Sequence, residues 1–213
     1  MKQTAIITLG VCLAIVPAAF AQQWEVGGAI GGGFYTSQAV TGPAGSADAK
    51  FKTGLAGSAW LGNNNAAHFG GEFRYDFQFG DMKLSGNGVE AGFAAQTHQV
   101  HYDFLWHAAS TEARVRPFVA AGAGIKVYRG TGTETLTQPL SKLALLTKTQ
   151  DVRPLVSLGA GIKFRVSDRI DFRVEVHDYL TPFPKEVITP ALGASVSGWI
   201  HDIVPSFGLS FLF

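Results

Sequence analysis

Charged side chains recur every second residue in two stretches of this chain. Glu72, Arg74 and Asp76 form one, and Asp171, Arg173, Glu175 and His177 form the other. On an extended chain that spacing puts all members of a set on one face. Glu25, Lys126, Lys163, Arg165 and Asp202 fall on comparable faces of their own segments. Mixed signs allow two kinds of chemistry: a structural ion-pair network, or a narrow polar path with a gate. Arg165 and Asp171 flank the turn Ser167-Asp168-Arg169 symmetrically, so they are expected to pair across a hairpin. Catalysis would need a histidine beside a serine or carboxylate, which directs attention to His98, His101, His107-Ala108-Ala109-Ser110 and Glu112. Ser110 and Glu112 fall in a short turn, no His-x-Ser pair exists, and His177 and Asp178 point to opposite strand faces. His98 and His101, three apart, also face oppositely, which argues against a shared metal. Gly28 to Gly33 and Gly122-x-Gly124 lack the following helix and Lys-Ser/Thr of a phosphate loop, so close packing explains them better. No catalytic residue, metal or cofactor is expected.

Eight strands can be read as the frame for these residues. They run about Trp24–Tyr35, Phe51–Leu61, Ala66–Phe79, Glu90–Trp106, Arg114–Arg129, Val152–Val166, Ile170–Leu180 and Trp199–Phe213. The third is the clearest, with Phe69, Phe73, Tyr75, Phe77 and Phe79 against His68, Glu72, Arg74, Asp76 and Gln78. In the fourth, Phe93 is out of phase with Val100, Tyr102, Phe104 and Trp106, and a bulge near Gln96–His98 would account for it. Gly62-Asn63-Asn64-Asn65 reads as a tight turn. Leu140–Leu146 reads as a short helix in a loop made apolar by Leu136, Leu140, Leu143, Leu145 and Leu146, an amphipathic lid or a docking surface. Connections after strands one, three, five and seven are long and the others short. That parity predicts an up-and-down barrel with long loops at one end. Arg116-Pro117-Phe118-Val119 and Gly122-Ala123-Gly124-Ile125-Lys126 are echoed by Arg153-Pro154-Leu155-Val156 and Gly159-Ala160-Gly161-Ile162-Lys163. Two copies are too few for a solenoid.

The amino-terminal stretch has Lys2, a mostly apolar run Ile6–Val16, Pro17 and then Ala19-Phe20-Ala21, which reads as a signal peptide at 1–21 cleaved before Gln22. The barrel domain would be 22–213. Cleavage removes Cys12, the single cysteine, and Lys2, which takes the 17 basic residues to 16 against 16 acidic ones. No charge excess points to nucleic acid. With 26 glycines, 12% aromatics and no later helix-length apolar run, a β-barrel is the way left to cross lipid.

The less apolar face is rich in Gly, Ala and Ser with a few charges of both signs, unlike the Lys- and Glu-rich outside of a lipocalin. It suits a crowded eight-stranded interior, with the apolar face toward lipid. Trp24, Tyr35, Trp106, Tyr128, Tyr179, Trp199 and Phe213 sit toward strand ends, where interfacial girdles belong. The alternating strands, Pro-Phe-Val-Ala-Ala-Gly-Ala-Gly at 117–124 and the terminal Phe213 resemble the small outer-membrane β-barrels of the OmpA transmembrane-domain, OmpX and OmpW type. The resemblance covers the whole chain after the signal. It implies an all-β, eight-stranded antiparallel transmembrane barrel in the outer membrane, in contact with lipid and lipopolysaccharide and monomeric. Phe207, Leu209, Phe211 and Phe213 resemble the carboxy-terminal signal read by the barrel-assembly machinery. The functions implied are a non-enzymatic structural or surface-contact role, a narrow conduit for small or hydrophobic solutes, or least of all a lipid-modifying enzyme.

Overall fold

The computed structural model describes residues 24–64, 66–135 and 137–213. The signal peptide with Cys12, Asn65 of the expected tight turn and Leu136 of the apolar loop lie outside the described residues.

Among the described residues there are fourteen strands and no α-helix. Eight close into an all-antiparallel barrel: β1 (Trp24–Tyr35), β4 (Gly54–Asn63), β5 (Phe69–Phe79), β8 (Ala95–His107), β9 (Val115–Gly130), β11 (Gln150–Ser167), β12 (Ile170–Pro182) and β14 (Trp199–Leu212). Each pairs with its neighbours in chain order, and β1 pairs with β14 to shut the ring. The connections sort by length as the parity predicts, giving a loop end and a turn end. Arg165 stands opposite Asp171 in the β11–β12 hairpin.

The loop end holds the remaining strands. β2 (Gln38–Gly42), β3 (Gly45–Phe51), β6 (Met82–Gly86) and β7 (Val89–Phe93) form one sheet, and β10 (Ala144–Leu146) pairs with β13 (Ile188–Pro190). These strands form a cap. The β6–β7 turn puts Asn87 at φ 52° and Gly88 at φ 76°, the left-handed pair that a two-residue hairpin requires. Beneath the sheets lies a conventional apolar core that includes Val40, Phe51, Met82, Leu84, Leu143, Leu146, Phe183, Val187, Ile188 and Ile200.

Three expectations are corrected here. Leu140–Leu146 is not a helix: it is a turn leading into β10, whose Ala144 and Leu146 face the cap core. The expected tight turn at residues 62–65 starts later, because Gly62 and Asn63 still pair within β4. There is no bulge near Gln96–His98. β8 pairs without interruption with β5 and β9. Odd-numbered residues face inward from Ala91 through Phe93 and Ala95 to Thr97, Gln99 and His101. What changes is the outer solvent. Around the cap it is water, so the apolar side chains turn inward; lower down the outer face is apolar, so they turn outward.

The barrel exterior is apolar over its whole girth. Ile30 is 69% exposed and Phe104 70%, with Phe73, Val119, Ile125, Leu158, Phe207 and Leu209 exposed between them. An apolar surface of that extent exceeds what a water-soluble monomer carries and is a lipid-facing wall.

Candidate functional site

The barrel lumen gathers every interior residue anticipated above. Glu25, Glu72, Arg74, Asp76, Lys126, Lys163, Asp171, Arg173, Glu175, His177 and Asp202 are buried inside it, and Arg165 sits half-buried at the turn end. Strand alternation alone delivers them there, since each occupies an inward position of its strand.

Arg173 is the hub. Its Nη1 and Nη2 donate to Glu72 at 2.8 and 3.1 Å, Nη1 lies 3.7 Å from Glu25, and Nε lies 2.6 Å from Glu175. The guanidinium is sandwiched between Trp60 and Phe118, 4.7 and 4.5 Å from the ring centroids. Arg74 makes a second fan, donating to Glu72 at 3.1 Å, Asp76 at 3.2 Å, Ser58 at 3.0 Å and Glu175. Lys163 reaches across the barrel to Glu25 at 2.5 Å, and Trp60 Nε1 donates to the other oxygen of Glu25 at 3.1 Å. Arg165 closes the turn end on Asp171.

A second cluster was not anticipated as part of the lumen. His101 Nδ1 lies 3.1 Å from Asp103 and its Nε2 3.0 Å from Asp76. Each ring nitrogen of His101 thus faces a carboxylate oxygen. The buried lumen carboxylates are Glu25, Glu72, Asp76, Asp103, Asp171, Glu175 and Asp202; the cations are Arg74, Arg116, Lys126, Lys163, Arg165 and Arg173. The signal that could have found this cluster was the inward row Thr97, Gln99, His101, Asp103 and His107 of β8.

Glycine makes the room. A Cβ on Gly122 would lie 2.1 Å from Asp103, one on Gly124 2.5 Å from His101, one on Gly159 2.6 Å from His177 and one on Gly161 2.6 Å from Phe118. The echoed segments thereby acquire a role. β9 and β11 pair so that Arg116 faces Lys163, Lys126 faces Arg153 and Phe118 faces Gly161. Each copy's glycines lie opposite or beside the bulk of the rest of the lumen.

Above this plug lies a layer of tyrosines. Tyr35, Tyr128 and Tyr179 surround Lys126 Nζ at 4.9, 5.4 and 5.8 Å from their ring centroids, and Lys126 pairs with Asp202. Their hydroxyls bond Gln78 at 2.8 Å, Thr181 at 2.6 Å and Asp76 at 3.3 Å. These three are therefore not girdle residues. Each ring packs in the barrel mouth, and Tyr35 and Tyr128 lie tilted against Phe51 of the cap, 5.2 and 5.0 Å between centroids. Trp24, Trp106, Trp199 and Phe213 do stand exposed on the exterior, as do Phe207 and Leu209; Phe211 is the least exposed of that row.

A cavity of about 10 Å³ remains beside Asp76, Gln78, Gln99 and Ser206, the room of one water. Glu72, Asp103 and His177 converge within 4.8 Å, a spacing a metal could use. Both Glu72 oxygens, however, already accept from guanidinium groups, whose charge repels a cation. His98 faces outward, bonded to Tyr75 Oη at 2.8 Å, apart from inward His101. His177 is buried in the lumen while Asp178 stands on the other face and pairs with His201 at 2.8 Å. Ser157 Oγ lies 3.4 Å from His177 Nδ1 and donates to Asp103 at 3.3 Å, with all three side chains buried in the lumen.

Solved structures share this architecture. Neisserial surface protein A superposes with a TM-score of 0.56 at 9% identity, over 89% of this chain and 97% of that one. The outer membrane protein OprG of Pseudomonas aeruginosa gives 0.58 at 11% identity, over 91% of this chain and 96% of that one. No protein-family model and no curated protein matches the chain. The fold is that of the small eight-stranded outer-membrane barrels.

Proposed function

We propose that this protein is a closed, non-enzymatic outer-membrane barrel with a structural or surface-contact role in the cell envelope. The observation that carries the reading is the lumen: cross-barrel ion pairs centred on Arg173 and Arg74 fill it, and an apolar-cored cap covers its loop end. Buried charges this well paired favour a plug over a path, because moving one member strands its partners at a cost of several kcal/mol. Cleavage of residues 1–21 and reading of Phe207, Leu209, Phe211 and Phe213 by the assembly machinery belong to the same proposal.

Planar-bilayer recording tests it. The purified barrel should give no single-channel steps. Clear steps that vanish when Arg74 or Arg173 is replaced would overturn the plug and favour a narrow conduit.

A further inference from the structure

An open cavity of about 320 Å³ lies where β9 and β11 end at the cap, lined by Arg129, Gly130, Thr131, Lys148, Thr149 and Gln150. We propose that it seats a phosphate group on the headgroup of an outer-leaflet glycolipid. The inference rests on the outer-membrane reading above.

Arg129 is the one arginine or lysine that faces outward from the eight barrel strands, among the described residues. It stands in a rung with Gln96 on one side and Gln150 on the other. One pleat below it, Val127 and Val152 face outward on the same two strands, and Val152 is exposed. A lipid whose chains lie against those valines brings its headgroup to the level of Arg129.

Lys148 supplies a second cation to the same cavity. Among the described residues, neither side chain has an ion-pair partner, whereas Arg74, Arg173, Lys126 and Lys163 in the lumen all have one. Glu134 Oε1 accepts from the Lys148 backbone N–H at 2.7 Å. Thr149 Oγ1 donates to the Glu186 carbonyl at 2.7 Å, so its hydroxyl proton is committed to the cap. An arginine fork beside a lysine point charge is phosphate-recognition chemistry, and Thr131 and Gln150 offer groups for neighbouring sugar hydroxyls. A basic side chain at a membrane surface also gains from anionic lipid.

The test uses the full barrel in nanodiscs and counts retained lipid by native mass spectrometry. The probes are lipid A, lipid A with its phosphates removed, and inorganic phosphate alone. Lipid A should be retained, and retention should fall about 30-fold in the Arg129→Gln/Lys148→Gln double variant, the combined worth of two surface cations. Dephosphorylated lipid A should be retained as weakly by the native chain. Arg114→Gln, an exposed cation at the turn end, serves as control and should leave retention unchanged. Unchanged heat-modifiable migration on gels confirms that the double variant folds. Equal retention of both lipids, or no loss in the double variant, overturns the seat. Binding of inorganic phosphate without lipid A reassigns the cavity to a soluble anion and overturns the lipid. Channel steps in a bilayer would sink the plug while leaving this seat intact, so the two readings fail separately.

Discussion

The barrel and its cap are built from the same kind of strand with opposite polarity. In the barrel, Phe73, Ile125 and Leu209 face out and Arg74, Lys126 and Asp103 face in. In the cap, Phe51, Met82, Leu84 and Leu146 face in, while Asp48, Lys52 and Glu90 stand on the surface. The inversion happens along single strands without a slip of register. The inward row of β8 passes from Ala95 to Asp103 and that of β14 from Ile200 to Asp202, with the inward parity kept while the inward chemistry changes from apolar to polar. Alternation fixes which residues share a face, and the surrounding solvent fixes which kind of face points out.

That contrast can be broken first in the lumen. Arg173→Ala removes one cation from each of Glu25, Glu72 and Glu175 at once and should cost about 5 kcal/mol in urea unfolding from micelles, with loss of heat-modifiable migration. A cap defect should behave differently. Phe51→Ala removes the ring between Tyr35 and Tyr128 and should cost about 3 kcal/mol, opening the loops to protease while the barrel still migrates as folded. The two exteriors sharpen the comparison further. Ile125→Arg on the lipid wall should cost about 2–3 kcal/mol, whereas Val89→Arg on the cap surface should stay within about 0.5 kcal/mol by the same titration. Smallest is Tyr35→Phe in the layer between, which deprives Gln78 of one donor and should cost about 1 kcal/mol without changing migration. Equal costs for the two arginine insertions would sink the claim that lipid bathes one exterior and water the other.

The barrel strands are legible in sequence because a one-sided wall forces strict alternation over ten or more residues. The Arg165–Asp171 pair is legible because a tight hairpin fixes its register. The cap is not legible: Gln38–Phe51 and Met82–Phe93 are short, small-residue strands whose core comes from Leu143, Phe183 and Ile188, far away in the chain. Phe93 looks out of phase for the same reason, since its phase is set by what surrounds the cap. Tyr128 and Tyr179 defeat the girdle rule because an amphipathic ring at a strand end suits the mouth of a polar lumen as well as a headgroup layer. His101 and Asp103 are hidden by their neighbours Val100 and Tyr102, which draw attention to the other face.

The β1–β14 seam carries a consequence for how the molecule comes into being. Glu25 pairs in register with Leu212 and Tyr35 with Asp202, so the ring shuts between strands at opposite ends of the described chain. Until that seam zips, two strand edges hold unpaired amides and carbonyls that lipid cannot satisfy. Glu25 on β1 also has no Lys163 or Arg173 to meet until the far strands arrive. Closure of the wall and neutralisation of the lumen are therefore one event. Assembly should be slow and nearly all-or-none, with no stable partial barrel on the way.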